Sequence, residues 1–294
     1  NGQDSMNKLA LGTVQFGSNY GVANINGQVN QYEIKKILNL AKQNGLDTLD
    51  TAIAYGESET CLGDVGVNEF KVVTKIPPVP NDCIDVGDWV RQQVNESLSR
   101  LGVNSVYGLL LHNSSQLLGI NGQVLYQALH KLKSDGYVQK IGISIYSIVE
   151  LETLMPHFYF DLVQTPLNIF DRRFSESGWL NRLKDNHVEI HVRSVFLQGL
   201  LLMTEADMPE KFSPWSDLLK QWHKWLRHNN VSALKACLAY PLSFSEIDRI
   251  VVGVDSVNQL KEIIAATQSC IPCDLPNLNC EDEKLINPPF WQYL

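Results

Sequence analysis

The sequence contains no apolar run of 18 residues, the length that a membrane-spanning helix needs. It also has no excess of basic residues, because 24 Lys and Arg stand against 32 Asp and Glu, a formal net charge of −8. This balance argues against nucleic acid as the main partner, since phosphate binding needs clustered positive charge. The N-terminus lacks the basic end and apolar segment of a secretory signal. We therefore expect a cytoplasmic protein without a membrane partner, and interpret residues 1–5 as an expression remnant.

Several common site motifs are also missing. Neither GxGxxG nor GxxxxGK[ST] follows the first predicted strand, and no HxH or HExxH occurs, so metal-dependent hydrolysis is not favoured. Of the six cysteines, Cys270, Cys273 and Cys280 cluster in a tail rich in Pro and Asn. No His lies in this tail, and the CxxC pair does not open a helix after a strand. We interpret these thiols as incidental and expect no metal.

What the sequence does contain is a regular alternation of apolar runs and segments of helical periodicity. The predicted strands are 9–16, 46–52, 71–76, 105–113, 140–146, 161–168, 189–196 and 248–254. The predicted helices are 30–45, 85–102, 122–136, 148–155, 176–186, 214–229, 231–242 and 256–268. Eight such units predict a (β/α)8 TIM barrel, here a single domain over 6–294 with a C-terminal tail over 269–294. A doubly wound open sheet is the alternative, although it usually carries GxGxxG.

Four reactive side chains fall at or just after the ends of three successive predicted strands. Asp50 and Tyr55 follow the second strand in LDTLDTAIAYG. Lys75 ends the third strand, KVVTK, and His112 ends the fourth, LLLHN. Taken singly, each has a structural interpretation as a helix cap, a loop aromatic, a rim lysine or a core histidine. Together they favour an active site, because barrels place their chemistry at the C-terminal ends of strands, and Asp50 would be the partner that a buried Lys75 needs.

These segments resemble the aldo-keto reductases, and the resemblance extends over nearly the whole chain. It is strongest in LDTLDTAIAYGESE, KVVTK and LLLHN. The resemblance implies that the four residues above form a catalytic tetrad and that the cofactor is NADPH or NADH. It also implies that the dinucleotide lies extended across the barrel mouth, which accounts for the missing GxGxxG motif.

The tetrad predicts the reduction of a carbonyl group. Hydride reaches the carbonyl carbon, the oxygen gains negative charge, and Tyr55 would act as the general acid. An ammonium about 4 Å away is worth up to roughly 4 kcal/mol to a phenolate at an effective dielectric of about 20. Lys75 would supply that ammonium and Asp50 would keep it charged and in place. His112 would orient or polarise the carbonyl.

The resemblance also assigns cofactor contacts along the later strand ends. Ser144 and Gln164 match positions that bind the nicotinamide carboxamide, and Gln198 and Gly199 would follow the pyrophosphate. The full predicted set is Thr13, Ser144, Gln164, Arg193, Ser194, Gln198, Gly199, Gly253, Asp255, Ser256, Gln259 and Glu262.

Two of these positions depart from the family pattern. Arg193 stands where many members place an aromatic side chain that stacks on the nicotinamide; it could stack there too, or meet an anionic substrate group. Asp255 stands where members that prefer NADPH place Arg or Lys for the 2′-phosphate. The family default is NADPH, but a carboxylate would repel that phosphate, so Asp255 favours NADH. The alternative is that Asp255 only caps the last helix, whose start, with Ser256, could still take an anion.

Two other functions stay open at this point. Lys75 could be the nucleophile of a Schiff-base aldolase. The chain could also be a regulatory subunit that senses the cofactor and turns over slowly. The expected substrate is a small carbonyl compound, sugar-like if the pocket is polar and rimmed by aromatics, while the oligomeric state is not predicted.

Overall fold

The computed structural model describes residues 8–18, 27–269 and 274–294, and it confirms the predicted TIM barrel. Eight parallel strands pair in chain order and close on themselves through β1 and β8. They are Leu9–Gly12 (β1), Thr48–Asp50 (β2), Lys71–Ile76 (β3), Val106–Leu111 (β4), Val138–Ser144 (β5), Leu162–Pro166 (β6), Glu189–Arg193 (β7) and Arg249–Gly253 (β8). All C-terminal strand ends therefore meet at one mouth of the barrel.

Helices surround the strands. The α-helices are Val14–Gly17 (α1), Gln31–Gln43 (α2), Ser58–Val65 (α3), Val86–Leu101 (α4), Gly122–Ser134 (α5), Ile148–Leu154 (α6), Arg173–Glu176 (α7), Trp179–Asp185 (α8), Ser216–Asn229 (α9), Ala233–Leu242 (α10), Val257–Gln268 (α11) and Glu283–Ile286 (α12). Short 3-10 turns occur at Ser114–Leu118, Leu200–Leu202, Glu205–Asp207, Glu210–Trp215 and Pro288–Tyr293. No helix in these described ranges is long and apolar enough to cross a bilayer.

Helix α4 shows how local sequence sets the element bounds. The Asp85 carboxylate accepts a hydrogen bond from the Asp88 N–H at 3.0 Å, which caps the N-terminus. Gly102 ends the helix in the left-handed conformation, with φ 66°. Apolar residues at helical spacing bury the inner face: Val86, Val90, Val94, Leu98 and Leu101.

The predicted first strand, 9–16, was too long. The strand ends at Gly12, and Val14–Gly17 turn into a short helix that buries Phe16. A short apolar run cannot by itself distinguish a strand from a buried helical turn. The predicted helix 176–186 is not continuous either. Gly178, with φ 84°, separates α7 from α8. Helix α3 was not predicted at all.

Alternation along the strands builds three layers inside the barrel. The middle layer is apolar and contains Val73, Leu110 and Leu162. The layer at the N-terminal strand ends is polar and is organised around Glu189. Its carboxylate accepts hydrogen bonds from the Tyr107 hydroxyl, from Lys140 Nζ at 2.8 Å and from His191 Nε2 at 2.6 Å. Burial and this carboxylate raise the pKa of Tyr107 to about 12.

Replacing Glu189 by Gln is expected to lower the free energy of unfolding at pH 7 by about 1.5–3 kcal/mol, the range for hydrogen bonds to a charged group. Burial alone would raise the pKa of Glu189, but the bonds from His191, Lys140 and Tyr107 hold it well below its usual range. Its stabilisation is therefore present above the unfolded pKa of about 4.3 and is lost as the pH falls below it. Urea unfolding between pH 3 and 7 should show the difference between wild type and variant shrinking in acid. Glu152→Gln, at an exposed residue, should change stability by less than about 0.5 kcal/mol; a Glu189 effect that does not vary with pH would contradict this account.

The C-terminal tail packs beside the mouth. Cys280 N donates to Phe170 O at 2.7 Å, and Trp215 Nε1 donates to Asp282 Oδ2 at 3.0 Å. Glu283 lies 3.6 Å from Arg173. Cys270 and Cys273 lie outside the described residues.

Candidate active site

The barrel mouth contains a buried ion pair between neighbouring strands. Lys75 Nζ at the end of β3 lies 2.8 Å from Asp50 Oδ2 at the end of β2, and 2.9 Å from the Thr51 carbonyl. Both side chains are buried, Lys75 completely. Burial alone would lower the pKa of Lys75, but Asp50 and Tyr55 more than offset it and hold the pKa above its usual value. The lysine is therefore a fixed ammonium.

Tyr55 approaches this ion pair from the loop after β2. Its hydroxyl lies 3.4 Å from Lys75 Nζ. The loop is held by Tyr55 N, which donates to Ala52 O at 3.1 Å, and by Ser58 N, which donates to Tyr55 O at 3.0 Å. Gly17 of α1 packs directly on this segment, since a Cβ there would come within 1.7 Å of Tyr55 O. The unpredicted turn of α1 thus positions the tyrosine.

His112 completes the group of four. Its ring centroid lies 5.8 Å from that of Tyr55, in an edge contact at 82°. Burial, followed by the charges of Lys75 and Arg193, lowers the pKa of His112 to about 4, so the imidazole is neutral at pH 7. A cavity of about 330 Å³ opens beside it, lined by Pro78, His112, Asn113, Tyr146 and Glu150. A neutral ring can donate one N–H to an oxygen in this cavity.

Gln164 at the end of β6 joins the same group, a contact that sequence reasoning missed. Its Nε2 donates to Asp50 Oδ1 at 2.7 Å, so both carboxylate oxygens of Asp50 are used. Gln164 Oε1 is buried and has no hydrogen-bond partner among the described residues. Ser144 on β5 lies beside it in register. A buried acceptor without a donor fits an incoming amide N–H, as the nicotinamide carboxamide would supply.

Thr13 lies below this group and is fully buried. Its hydroxyl donates to Asp50 O at 2.8 Å and lies 2.8 Å from Ser58 Oγ, which ties β1 to the loop that carries Tyr55. Its predicted contact with the cofactor stays a prediction.

The loop after β7 has an unusual backbone. Ser194, Leu197 and Gln198 have φ between 51° and 59°, and Gly199 has φ 88°. Non-glycine residues adopt this left-handed region at a cost of about 1–3 kcal/mol each, so the surroundings must hold them there. Asn168 Nδ2 does so in part, because it donates to Ser194 O at 3.0 Å. Such strain is typical of ligand-binding segments.

The loop after β8 contains the other predicted contacts. Gly253 pairs with Gly12 and leaves room for Gln15, whose Oε1 would lie 2.9 Å from a Cβ at Gly253. Ser256, not Asp255, caps α11, since Ser256 Oγ accepts from Gln259 N at 3.1 Å. The interpretation of Asp255 as the helix cap is therefore wrong.

Asp255 is not the helix cap, and two residues after it the chain meets a carboxylate from α2 that the sequence did not point to. Asp255 Oδ1 is buried without a hydrogen-bond partner in the described part of the chain, and its N–H donates to Gln259 Oε1 at 2.8 Å. Glu33 Oε1 accepts from Val257 N at 2.7 Å, at the start of α11. Glu262 lies exposed further along α11. Two carboxylates thus stand where the helix start would otherwise attract an anion.

Comparison with known proteins shows the family of the chain. The model of the aldo/keto reductase family matches residues 8–272. The chain belongs to the aldo/keto reductase family. It is accordingly an NAD(P)H-dependent oxidoreductase, as the sequence resemblance implied.

Relatives match over nearly the whole chain. L-galactose dehydrogenase of Arabidopsis thaliana is 27% identical over 94% of this chain and 89% of its own length. NADH-specific methylglyoxal reductase of Escherichia coli K12 is 24% identical over 89% of this chain and 90% of its own. The holo form of an aldo-keto reductase from Bacillus halodurans superposes with a TM-score of 0.71 at 20% identity, over 90% of this chain and 88% of that one, which shows the shared fold.

Proposed function

We propose that this aldo/keto reductase reduces a small, polar, sugar-like aldehyde or ketone to an alcohol, with Tyr55 as general acid, and that it uses NADH in preference to NADPH. The observation that carries the proposal is the Lys75 ammonium, held 2.8 Å from Asp50 and 3.4 Å from the Tyr55 hydroxyl. The polar lining of the adjacent cavity, with Asn113, Tyr146 and Glu150, supports a polar substrate.

Tyr55, His112 and Lys75 each have a separate role in the reduction. The nicotinamide, when bound, supplies the hydride. As the carbonyl oxygen gains charge, the Tyr55 hydroxyl donates its proton to that oxygen, and neutral His112 donates an N–H hydrogen bond to it. The Tyr55 phenolate left behind is stabilised by Lys75, by at most roughly 4 kcal/mol. In alcohol oxidation the same phenolate takes the proton back.

The ion pair argues against the aldolase alternative. A Schiff-base lysine must attack as the neutral amine. Lys75 is completely buried, is bonded to Asp50, and has a raised pKa. These conditions favour the ammonium form and make it a poor nucleophile.

The residues at the mouth fit a nicotinamide dinucleotide. Gln164 Oε1 would accept from the carboxamide, with Ser144 beside it, and the strained segment from Ser194 to Gly199 would follow the pyrophosphate. Arg193, the last residue of β7, directly precedes that segment.

The preference for NADH is supported by charge. The buried Asp255 Oδ1 has no partner in the described chain and could accept from a ribose hydroxyl. Asp255 and Glu33 would both oppose a 2′-phosphate at the start of α11. One relative, 24% identical in sequence, is named as an NADH-specific reductase.

Replacing Asp255 by Arg is expected to shift the ratio of dissociation constants toward NADPH by about 10- to 100-fold, because a phosphate-binding fork replaces a repelling carboxylate. Quenching of tryptophan fluorescence gives both constants. The wild type should bind NADH more tightly, and Asp185→Arg, the same charge change at the exposed end of α8, should leave the ratio unchanged. Tighter NADPH binding by the wild type would refute the role of Asp255. Absence of binding by either nucleotide at millimolar concentration would refute the proposed reduction itself.

A further inference from the structure

Arg193 is the last residue of β7 and points into the barrel mouth. His191 and Glu189, two and four residues earlier, form the interior layer at the other end of the barrel, while Ile190 and Val192 pack outward against the helices. The twofold alternation of a strand therefore places Arg193 on the interior face. It is only partly buried.

Every contact that this guanidinium makes with the described residues is neutral. Nη2 donates to Ile145 O at 2.6 Å, and Nη1 lies 3.4 Å from Ser194 Oγ. The Cζ atom lies 4.7 Å from the centroid of the Tyr146 ring, which lines the cavity beside His112. No carboxylate of the described residues lies within ion-pair distance of Arg193. A guanidinium has five donors, so most are available to a ligand.

The carboxylates nearest to the cavity are already engaged. Glu150 Oε2 accepts from Tyr146 N at 2.7 Å and Ser147 N at 2.9 Å, and Glu150 Oε1 accepts from Ser114 Oγ at 2.6 Å. Asp50 is bonded to Lys75 and Gln164. The positive charge of Arg193 reaches the reaction centre, since it contributes to the lowered pKa of His112. Arg193 thus lies against a side chain of the cavity wall, Tyr146, without an ion-pair partner among the described residues, and the one carboxylate of that wall, Glu150, is held by three hydrogen bonds away from it.

We propose that Arg193 binds an anionic group, a carboxylate or a phosphate, carried by the carbonyl substrate. This inference rests on the proposed function and narrows its substrate class. When a substrate closes the cavity, the guanidinium loses water, and a charge without a partner is costly to desolvate. An anionic group offsets that cost and can accept two parallel N–H bonds from the planar fork. The nicotinamide cannot do so, because it is neutral when reduced and positive when oxidised.

The test compares matched substrates that differ only in the anionic group. The pairs are 4-carboxybenzaldehyde against benzaldehyde, D-glucuronate against D-glucose, and glyceraldehyde 3-phosphate against glyceraldehyde. For at least one pair, the wild type should prefer the anion, and Arg193→Gln should lower the ratio of kcat/KM values by about 10- to 100-fold. Arg193→Lys, which keeps the charge but not the fork, should fall between them. The carboxylate and phosphate pairs show which anion is read.

Arg182→Gln is the matched control and should leave all ratios unchanged. Arg182 lies on helix α8 outside the barrel, where its Cζ atom stacks 3.7 Å from the centroid of the Trp179 ring. Thermal unfolding shows whether each variant is folded. Equal losses of kcat/KM for both members of every pair, accompanied by weaker NADH binding, would make Arg193 a cofactor contact and overturn the inference. Ratios of kcat/KM that Arg193→Gln does not change would also overturn it.

Failure of the proposed function can be separated from failure of this inference. Calorimetric titration of 4-carboxybenzyl alcohol and benzyl alcohol, in the presence of NADH, which cannot accept a hydride from an alcohol, measures the same preference without turnover. If no carbonyl is reduced, the proposed reduction fails. A wild-type preference for the carboxylated alcohol that is lost in Arg193→Gln would still support the anion site, and equal binding of the two alcohols would overturn it.

Discussion

Tyr55→Phe is expected to lower kcat/KM for carbonyl reduction by about 10²- to 10⁴-fold, the range associated with a positioned general acid. The substitution removes only the hydroxyl that lies 3.4 Å from Lys75. The ring and its edge contact with His112 are retained, so nicotinamide nucleotide binding should change by less than about threefold. Steady-state kinetics and fluorescence titration measure the two effects separately.

A matched variant separates the loss of this hydroxyl from the loss of any tyrosine hydroxyl. Tyr32 on α2 is 72% exposed, and Tyr32→Phe should leave both kinetics and binding unchanged. Retention of more than about a tenth of the activity by Tyr55→Phe would show that the proton comes from another group, with His112 as the next donor to test.

Lys75→Met is expected to abolish activity and also to destabilise the fold by about 3–5 kcal/mol, because it leaves the buried Asp50 carboxylate without its counter-charge. The remaining donor to that carboxylate is Gln164, which compensates only one oxygen. Urea unfolding gives the loss of stability and nucleotide titration shows whether the mouth is intact.

The double variant Asp50→Asn with Lys75→Met tests whether the loss of stability comes from the unpaired Asp50 carboxylate. A neutral amide at position 50 can still accept from Gln164, so the double variant should regain at least about 2 kcal/mol of stability relative to Lys75→Met. It should stay inactive, since no ammonium supports the Tyr55 phenolate. A double variant no more stable than the single one would mean that Lys75 contributes packing and not charge compensation.

The regulatory alternative makes the opposite kinetic prediction from the reductase. A slow cofactor sensor would lose little by Tyr55→Phe, whereas an enzyme loses its proton donor. The neutral state of His112, set by burial and by neighbouring cations, supports the enzyme. It places an N–H donor next to the phenol at pH 7.

The sequence by itself determined the barrel and the four residues of the candidate tetrad. Alternating apolar and helical periods required parallel strands, and parallel strands bring their C-terminal ends together, so Asp50, Lys75 and His112 had to share one mouth. These inferences hold because the apolar period of each strand, and the helix that connects it to the next, can be read along the chain. Where an apolar run was ambiguous, as at Val14–Gly17, local pattern failed because a buried turn and a strand look alike.

Only the tertiary structure decided which groups complete the site. Gln164 meets Asp50 across 114 residues of sequence, and Glu33 meets Val257 across 224. Gly17 is needed because Tyr55 packs on it, and Arg193 matters because no carboxylate of the described chain pairs with it. Such contacts depend on barrel closure and on side-chain distances of a few ångströms, which no spacing in the sequence encodes.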